Sequence, residues 1–214
     1  MKYKAVIFDM DGTLLDTLAD ITDSVNYALG SLGFPLLVIS EIRNYVGNGV
    51  LRMMELSVPG GTENPLFNDA VSLFKRQYAE NCRNKTRPYD GIMELLEWLL
   101  ERGYKTAVIS NKYDKAVKEL NRFYFSEYIS LAIGESSVIK RKPAADMLLT
   151  ALNRLSVTTE EAIYIGDSEV DIETAKNAGV DCISVAWGFR DRDWLAARRA
   201  GKIVDSPGEL LSHL

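Results

Sequence analysis

Apolar and polar positions follow two different patterns along the chain. Residues 5–8 are an uninterrupted apolar run, which is typical of a buried strand in a parallel sheet. Over residues 17–86 the apolar positions recur instead at three- and four-residue steps, which predict helices and no strand. The expected helices cover residues 17–32, a short stretch from residue 40, residues 50–56 and residues 65–82.

From about residue 91 onward, helical and strand patterns alternate. The predicted strands are 105–110, 129–133, 162–165, 182–185 and a short one around Ile203, and the helices are 91–102, 114–123, 143–155, 169–178 and a final one. Strands that alternate with helices indicate right-handed βαβ units and a parallel sheet. The expected fold is a doubly wound α/β domain, residues 1–16 and 87–214, with an all-helical domain, residues 17–86, inserted after its first strand.

Composition and charge narrow the class of protein. The chain is 47% hydrophobic and 26% charged, as in ordinary soluble globular proteins, and its net charge is −5. That charge argues against a nucleic-acid or anionic membrane partner, so an anionic substrate would need a local cluster of positive charge or a metal. The first apolar run is too short for a signal peptide, and no stretch approaches the ~18 apolar residues of a membrane span. Cys82 and Cys182 lie far apart without a metal-binding pattern, so we expect free thiols and a cytoplasmic protein, either monomer or homodimer.

Two carboxylates stand where the first strand ends. Asp9 and Asp11 are two residues apart, so their side chains can face the same site, and Gly12 permits a turn immediately afterwards. The carboxyl ends of strands are where open α/β sheets bind ligands. The two carboxylates would repel each other unless a cation or a proton is shared, which indicates a functional site.

Polar residues also follow the later predicted strands. Ser110 and Asn111 offer a hydroxyl and an amide suited to phosphate oxygens, and Lys142 offers a compact positive charge just before Pro143. Asp167 and Asp171 are one helical turn apart, so both can face one point.

The segment Asp-Met-Asp-Gly-Thr-Leu-Leu-Asp-Thr, residues 9–17, resembles the first motif of the haloacid dehalogenase-like superfamily in its phosphatase form. Residues 108–112, 140–143 and 165–171 resemble its second, third and fourth motifs, although Ala145 replaces a second proline of many relatives. The resemblance implies a Rossmann-like core with a helical cap. It also implies that Asp9 is the nucleophile, that Asp11 is the general acid/base, and that Ser110 and Lys142 bind the phosphoryl group.

The same resemblance implies a metal site. Oxygen ligands indicate Mg²⁺, and the candidate ligands are Asp9, the backbone carbonyl of Asp11, Asp167 and Asp171. Asp171 would either bind the metal directly or support a residue that does. Asp9 would form an aspartyl-phosphate, and Asp11 would protonate the leaving alcohol and then activate water.

The acid at Asp11 favours a phosphatase, because the family's dehalogenases lack it. Residues 42–50 and 187–190 resemble phosphoglycolate phosphatase-like members, in which case Arg43 could pair with the carboxylate of a small phosphorylated metabolite. A pyrophosphatase or nucleotidase and a phosphomutase remain alternatives, although the mutases use a cap histidine and the one histidine here is His213. An alternative of another class is a non-catalytic protein that binds a phosphorylated ligand.

Overall fold

The computed structural model describes residues 2–214. The chain divides into two compact units, one of Met1–Leu15 with Pro88–Leu214 and one of Asp16–Arg87. These boundaries lie within one residue of the expected ones. No helix among residues 2–214 combines the length and the apolar character that crossing a bilayer requires.

The described part of the chain forms eight strands. They are β1 (Ala5–Phe8), β2 (Leu15–Asp16), β3 (Arg87–Pro88), β4 (Lys105–Tyr113), β5 (Leu131–Glu135), β6 (Ala162–Gly166), β7 (Asp181–Val185) and β8 (Lys202–Val204). Six of them form a sheet in the order β5-β4-β1-β6-β7-β8, and every pairing in it is parallel. β2 and β3 pair separately, where the chain leaves and re-enters the first unit. The doubly wound α/β prediction is confirmed.

Helices of the first unit lie between the strands of this sheet or after the last of them. They are α5 (Ile92–Glu101), α6 (Asp114–Tyr124), α7 (Asp146–Leu155), α8 (Glu169–Ala178), α9 (Arg192–Ala197) and α10 (Pro207–Leu210). Apolar side chains of β1, β4 and β6 pack against α7 and α8 in a buried cluster that includes Ile7, Ile109, Tyr164, Leu148 and Ala175. Strands buried on both faces read as continuous apolar runs, and this explains why residues 5–8 and 162–165 carry no alternation.

The second unit is helical. It contains α1 (Leu18–Ser31), α2 (Ile39–Tyr45), α3 (Gly49–Ser57), a 3₁₀ turn (Gly61–Glu63) and α4 (Phe67–Asn81). The buried carboxylate of Asp20 on α1 accepts backbone hydrogen bonds from Lys85 at 3.0 Å and Thr86 at 2.8 Å. This carboxylate therefore ties the end of the unit to its beginning.

Three local predictions were wrong. The helix expected from Pro143 begins at Asp146, because residues 141–144 form a turn in which Ala144 N donates to Arg141 O. β5 lies two residues later than expected, since Tyr128 and Ile129 donate their amides to Phe125 in the turn that ends α6. β4 continues past Ser110 to Tyr113 with a register shift after Ile109.

Candidate active site

The register of the sheet brings the ends of β1, β4 and β6 together. Phe8 pairs with Val108 on one side and with Ile165 on the other, and the amide of Asp9 continues the ladder by donating to Ile165 O at 2.8 Å. Parallel strands share one carboxyl edge, so the polar residues that follow these three strands meet there. Asp9 lies at the centre of this edge.

Lys142 connects two of the carboxylates. Its ammonium lies 2.9 Å from Asp9 Oδ1 and 2.7 Å from Asp171 Oδ1, and its side chain is only 2% exposed. Burial alone would lower the pKa of Lys142, but the charges of Asp171 and Asp9 outweigh burial and raise it. The lysine is therefore held as a cation at the edge of the sheet.

Asn111 fixes the backbone that carries this lysine. Its Oδ1 accepts from Lys142 N at 2.8 Å, and its Nδ2 donates to Lys142 O at 2.9 Å. Both ends of the amide thus hold the loop after β5 against the end of β4. This contact gives Asn111 a positioning role, and its contact with substrate stays a prediction.

Asp171 is completely buried and accepts four hydrogen bonds. Oδ1 receives Lys142 Nζ and the hydroxyl of Tyr164 at 2.8 Å, while Oδ2 receives the backbone N and Oγ of Ser168 at 3.1 and 2.6 Å. The hydrogen bond from the Ser168 amide belongs to the capping box at the start of α8. Burial raises the pKa of Asp171, but the charge of Lys142 and these hydrogen bonds outweigh it, so the pKa is lowered and the group stays ionised.

Asp167 lies in a cradle of backbone. Its Oδ2 accepts from Phe189 N at 2.7 Å, and a Cβ built on Gly12 or Gly188 would come within 2.3 or 2.6 Å of that oxygen. Gly12 also has a φ of +84°, which disfavours any other residue. Burial, together with the charge of Asp171, raises the pKa of Asp167 to about 7.

The donor set at this edge suits a divalent cation. Carboxylate oxygens of Asp9, Asp167 and Asp171 lie within 4.8 Å of one another. Burial raises the pKa of Asp9 well above its usual value, Lys142 opposes this, and the neighbouring aspartates add to it. Carboxylate oxygens are the ligand type that Mg²⁺ prefers. Carboxylates held this close together repel one another, and a bound cation would offset that repulsion.

Asp11 pairs with a second lysine. Lys112 Nζ lies 2.9 Å from Asp11 Oδ1, and the two side chains are 6% and 12% exposed. The amide of Lys112 donates to Ser110 Oγ at 3.2 Å, so the predicted phosphate-binding hydroxyl also helps to hold the backbone at the end of β4.

The structure gathers most of the predicted site residues at one edge of the first unit: Asp9, Asp11, Ser110, Asn111, Lys142, Asp167 and Asp171. Arg43 lies on α2 in the second unit, and its role stays a prediction. No role was predicted for Lys112 or Tyr164 from the sequence. The position of Lys112 directly after Ser110 and Asn111 was a usable signal, whereas nothing in the pattern distinguishes Tyr164 from a core aromatic residue.

An open parallel sheet with buried carboxylates and lysines at its carboxyl edge defines an α/β enzyme with an acidic, metal-competent site. The sequence model of the haloacid dehalogenase-like hydrolases matches residues 6–185, and the chain belongs to this family. The predicted resemblance is confirmed.

Individual relatives narrow the class. The chain is 30% identical over 214 residues to the phosphoglycolate phosphatase of Pseudomonas putida, covering 97% of this chain and 78% of the relative. It is 32% identical over 187 residues to that of Aquifex aeolicus, covering 87% and 86%. Among solved structures, a candidate phosphoglycolate phosphatase from Lactobacillus delbrueckii subsp. bulgaricus superimposes with a TM-score of 0.94 at 38% identity, covering 100% and 98%. A predicted one from Haemophilus somnus has a TM-score of 0.90 at 28% identity, also covering 100% and 98%. The protein is a phosphatase of this family.

Proposed function

We propose that this phosphatase hydrolyses a small phosphomonoester resembling 2-phosphoglycolate, with Mg²⁺ bound at the carboxyl edge of the sheet and Asp9 as the nucleophile. The observation that carries the proposal is the contact between Lys142 and Asp9. It holds a buried ammonium against the carboxylate that must approach a phosphate dianion. Without neighbouring positive charge, the two anions would repel each other.

The residues that would hold the cation are Asp9, Asp167 and the backbone carbonyl of Asp11. Asp171 is already engaged by Lys142, Tyr164 and Ser168, which favours a supporting position behind the ligands. When bound, Mg²⁺ supplies positive charge that offsets the phosphate oxygens during transfer.

The protein's own residues would carry the reaction in two steps. In the first, an oxygen of Asp9 bonds to phosphorus while the ester oxygen leaves and takes a proton from Asp11. In the second, water bonds to phosphorus, its proton passes to Asp11, and the bond to Asp9 breaks. Lys142 keeps its charge throughout and stabilises the transferring group, together with the hydroxyl of Ser110 and the amide of Asn111.

The substrate assignment rests on the relatives and on one basic residue. Several relatives bear the name phosphoglycolate phosphatase, and Arg43 supplies a guanidinium that can pair with a carboxylate in two parallel hydrogen bonds. We expect Arg43→Ala to raise KM for 2-phosphoglycolate and to leave KM for ethyl phosphate, which lacks the carboxylate, unchanged. An equal change for both esters would contradict this assignment.

The proposed function is tested by phosphate release from a panel of phosphomonoesters, with Mg²⁺ and with a chelator. We expect release that depends on Mg²⁺, kcat/KM highest for 2-phosphoglycolate, and no release by Asp9→Asn. A sugar phosphate, a nucleotide and pyrophosphate in the panel distinguish the other branches of the family. Preference for one of these, or isomerisation of a sugar phosphate without phosphate release, would overturn the substrate assignment.

The aspartyl-phosphate is tested separately. Rapid acid quenching of the reaction with ³²P-labelled substrate should leave label on the wild-type protein and none on Asp9→Asn. Release of phosphate from the wild type with no labelled protein at any time would overturn the covalent step while leaving the phosphatase activity in place.

A further inference from the structure

The ion pair between Lys112 and Asp11 does not involve Lys142, the other buried lysine of the site. Lys142 contacts Asp9 and Asp171, whereas Lys112 contacts Asp11 at 2.9 Å. The two ammonium groups therefore lie against different carboxylates. The carboxylate that Lys112 contacts is the one proposed to move protons.

The backbone on both sides of this pair is well defined. Residues 110–112 lie within β4 at its register shift, the kind of irregularity that redirects side chains next to active sites. Asp11 lies in a tight loop in which the amides of Leu14 and Leu15 donate to Met10 O at 3.0 Å and Gly12 N donates to Leu15 O at 2.9 Å. The side chains of the pair thus extend from two fixed segments.

Burial separates this pair from surface ion pairs. The Lys112 and Asp11 side chains are 6% and 12% exposed, whereas those of Lys118 and Asp114, which pair on α6, are 58% and 29% exposed. An exposed pair contributes little, but a buried ammonium is costly unless a carboxylate compensates it. The position of the Asp11 carboxylate is thus coupled to that of a buried charge.

We propose that Lys112 is the positioning residue of Asp11: it holds that side chain where its carboxyl group passes a proton to the ester oxygen and where the resulting carboxylate later takes one from water. The inference rests on the proposed function. Lys112 itself neither gains nor loses a proton in either step. A proton-transfer group must be held within hydrogen-bond reach of its target, and a displacement of about 1 Å costs about 10²-fold in rate.

The test uses two esters that differ in their need for a proton. An alkyl alcohol such as glycolate leaves slowly unless its oxygen is protonated, whereas p-nitrophenolate leaves without a proton. We therefore expect Lys112→Met to lower the first-turnover rate with 2-phosphoglycolate by about 10²-fold. With p-nitrophenyl phosphate the variant should release a rapid burst of p-nitrophenolate and then turn over slowly, because the water step still needs Asp11.

Two further variants complete the design. Lys112→Arg keeps the charge but places it differently, so it should restore part of the rate with 2-phosphoglycolate. Should Lys112→Met fail to fold, as judged by circular dichroism, Lys112→Arg carries the test and should show a smaller loss with the same ester selectivity. Lys118→Met, which breaks the exposed pair on α6, should match the wild type with both esters.

Equal losses of first-turnover rate with both esters would overturn the proposal, because a merely structural lysine has no reason to distinguish leaving groups. A rise in KM with both esters and no change in kcat would also overturn it and would make Lys112 an anion-binding residue. A wild-type enzyme that releases phosphate from neither ester with Mg²⁺ would instead refute the proposed function, and the inference with it.

Discussion

Replacing Asp171 by asparagine tests whether its buried carboxylate holds the site together. The carboxylate accepts from Lys142 and Tyr164 on one oxygen and from the amide and hydroxyl of Ser168 on the other. An asparagine of the same shape must turn its NH₂ toward one of these pairs. On one side it meets an ammonium, and on the other a backbone N–H, neither of which can accept a hydrogen bond.

The magnitude follows from the loss of a buried charge pair. Removing one partner of a buried ion pair typically costs about 3–5 kcal/mol of folding free energy. Lys142 keeps Asp9 at 2.9 Å, and the repulsion that Asp171 exerts on Asp9 and Asp167 disappears, so the lower end applies. We expect a loss of about 3 kcal/mol and, for a chain of this size, a Tm lower by about 6–12 °C.

The assay is urea and thermal unfolding of the metal-free protein, followed by circular dichroism. The matched control is Glu94→Gln, which also replaces an acid by its amide at the third residue of a helix, α5, but at an exposed position. It should cost less than about 1 kcal/mol, the usual contribution of an acid at a helix N-terminus. Equal losses in the two variants would contradict this prediction, because burial and the contact with Lys142 would then contribute nothing to stability.

Three further changes have distinct expected outcomes. In metal-free protein, burial raises the pKa of Asp167 from 3.8 to about 7, so the folded state keeps this proton while the unfolded state loses it. Its contribution to stability is therefore lost as pH rises from about 4 to 7. Over that range the free energy of urea unfolding of Asp167→Asn should rise relative to that of the wild type; a difference that does not change with pH would contradict this. In Gly188→Ala the new Cβ would lie 2.5 Å from Asp167 Cβ, so Mg²⁺-dependent kcat/KM should fall about 10²-fold, while Gly201→Ala, in open space, should leave it unchanged. Asn111→Ala frees the backbone of Lys142 and should lower kcat more than it raises KM; a pure KM effect would indicate substrate binding instead.

Much of the fold could be predicted from periodicity. The apolar run of β1 and the alternation after residue 91 are direct consequences of strands buried on both faces and helices packed on them. The wrongly predicted helix and strand boundaries lie where backbone hydrogen bonds in turns compete with those of a helix or a sheet. The turn at residues 141–144 delays α7, and the amides of Tyr128 and Ile129 are used by the turn after α6. Such turns depend on particular backbone conformations, which apolar spacing does not encode.

The chemical groups of the site could be recognised from the sequence alone. The spacing of Asp9 and Asp11, and of Asp167 and Asp171, is a local property of strand ends and a helix start, so it can be recognised without contacts. The order of strands and helices likewise implied that these residues share one edge of a sheet.

The pairing of each lysine with particular carboxylates follows from the three-dimensional packing. Lys142 contacts Asp9 and Asp171, and Lys112 contacts Asp11, across sequence separations that no local pattern relates. These pairings depend on strand register, on the loop that Asn111 fixes and on burial, which together bring each lysine to its own carboxylates. The different partners of Lys112 and Lys142 are therefore a consequence of packing, because interaction energies between charges depend on distance and desolvation rather than on sequence.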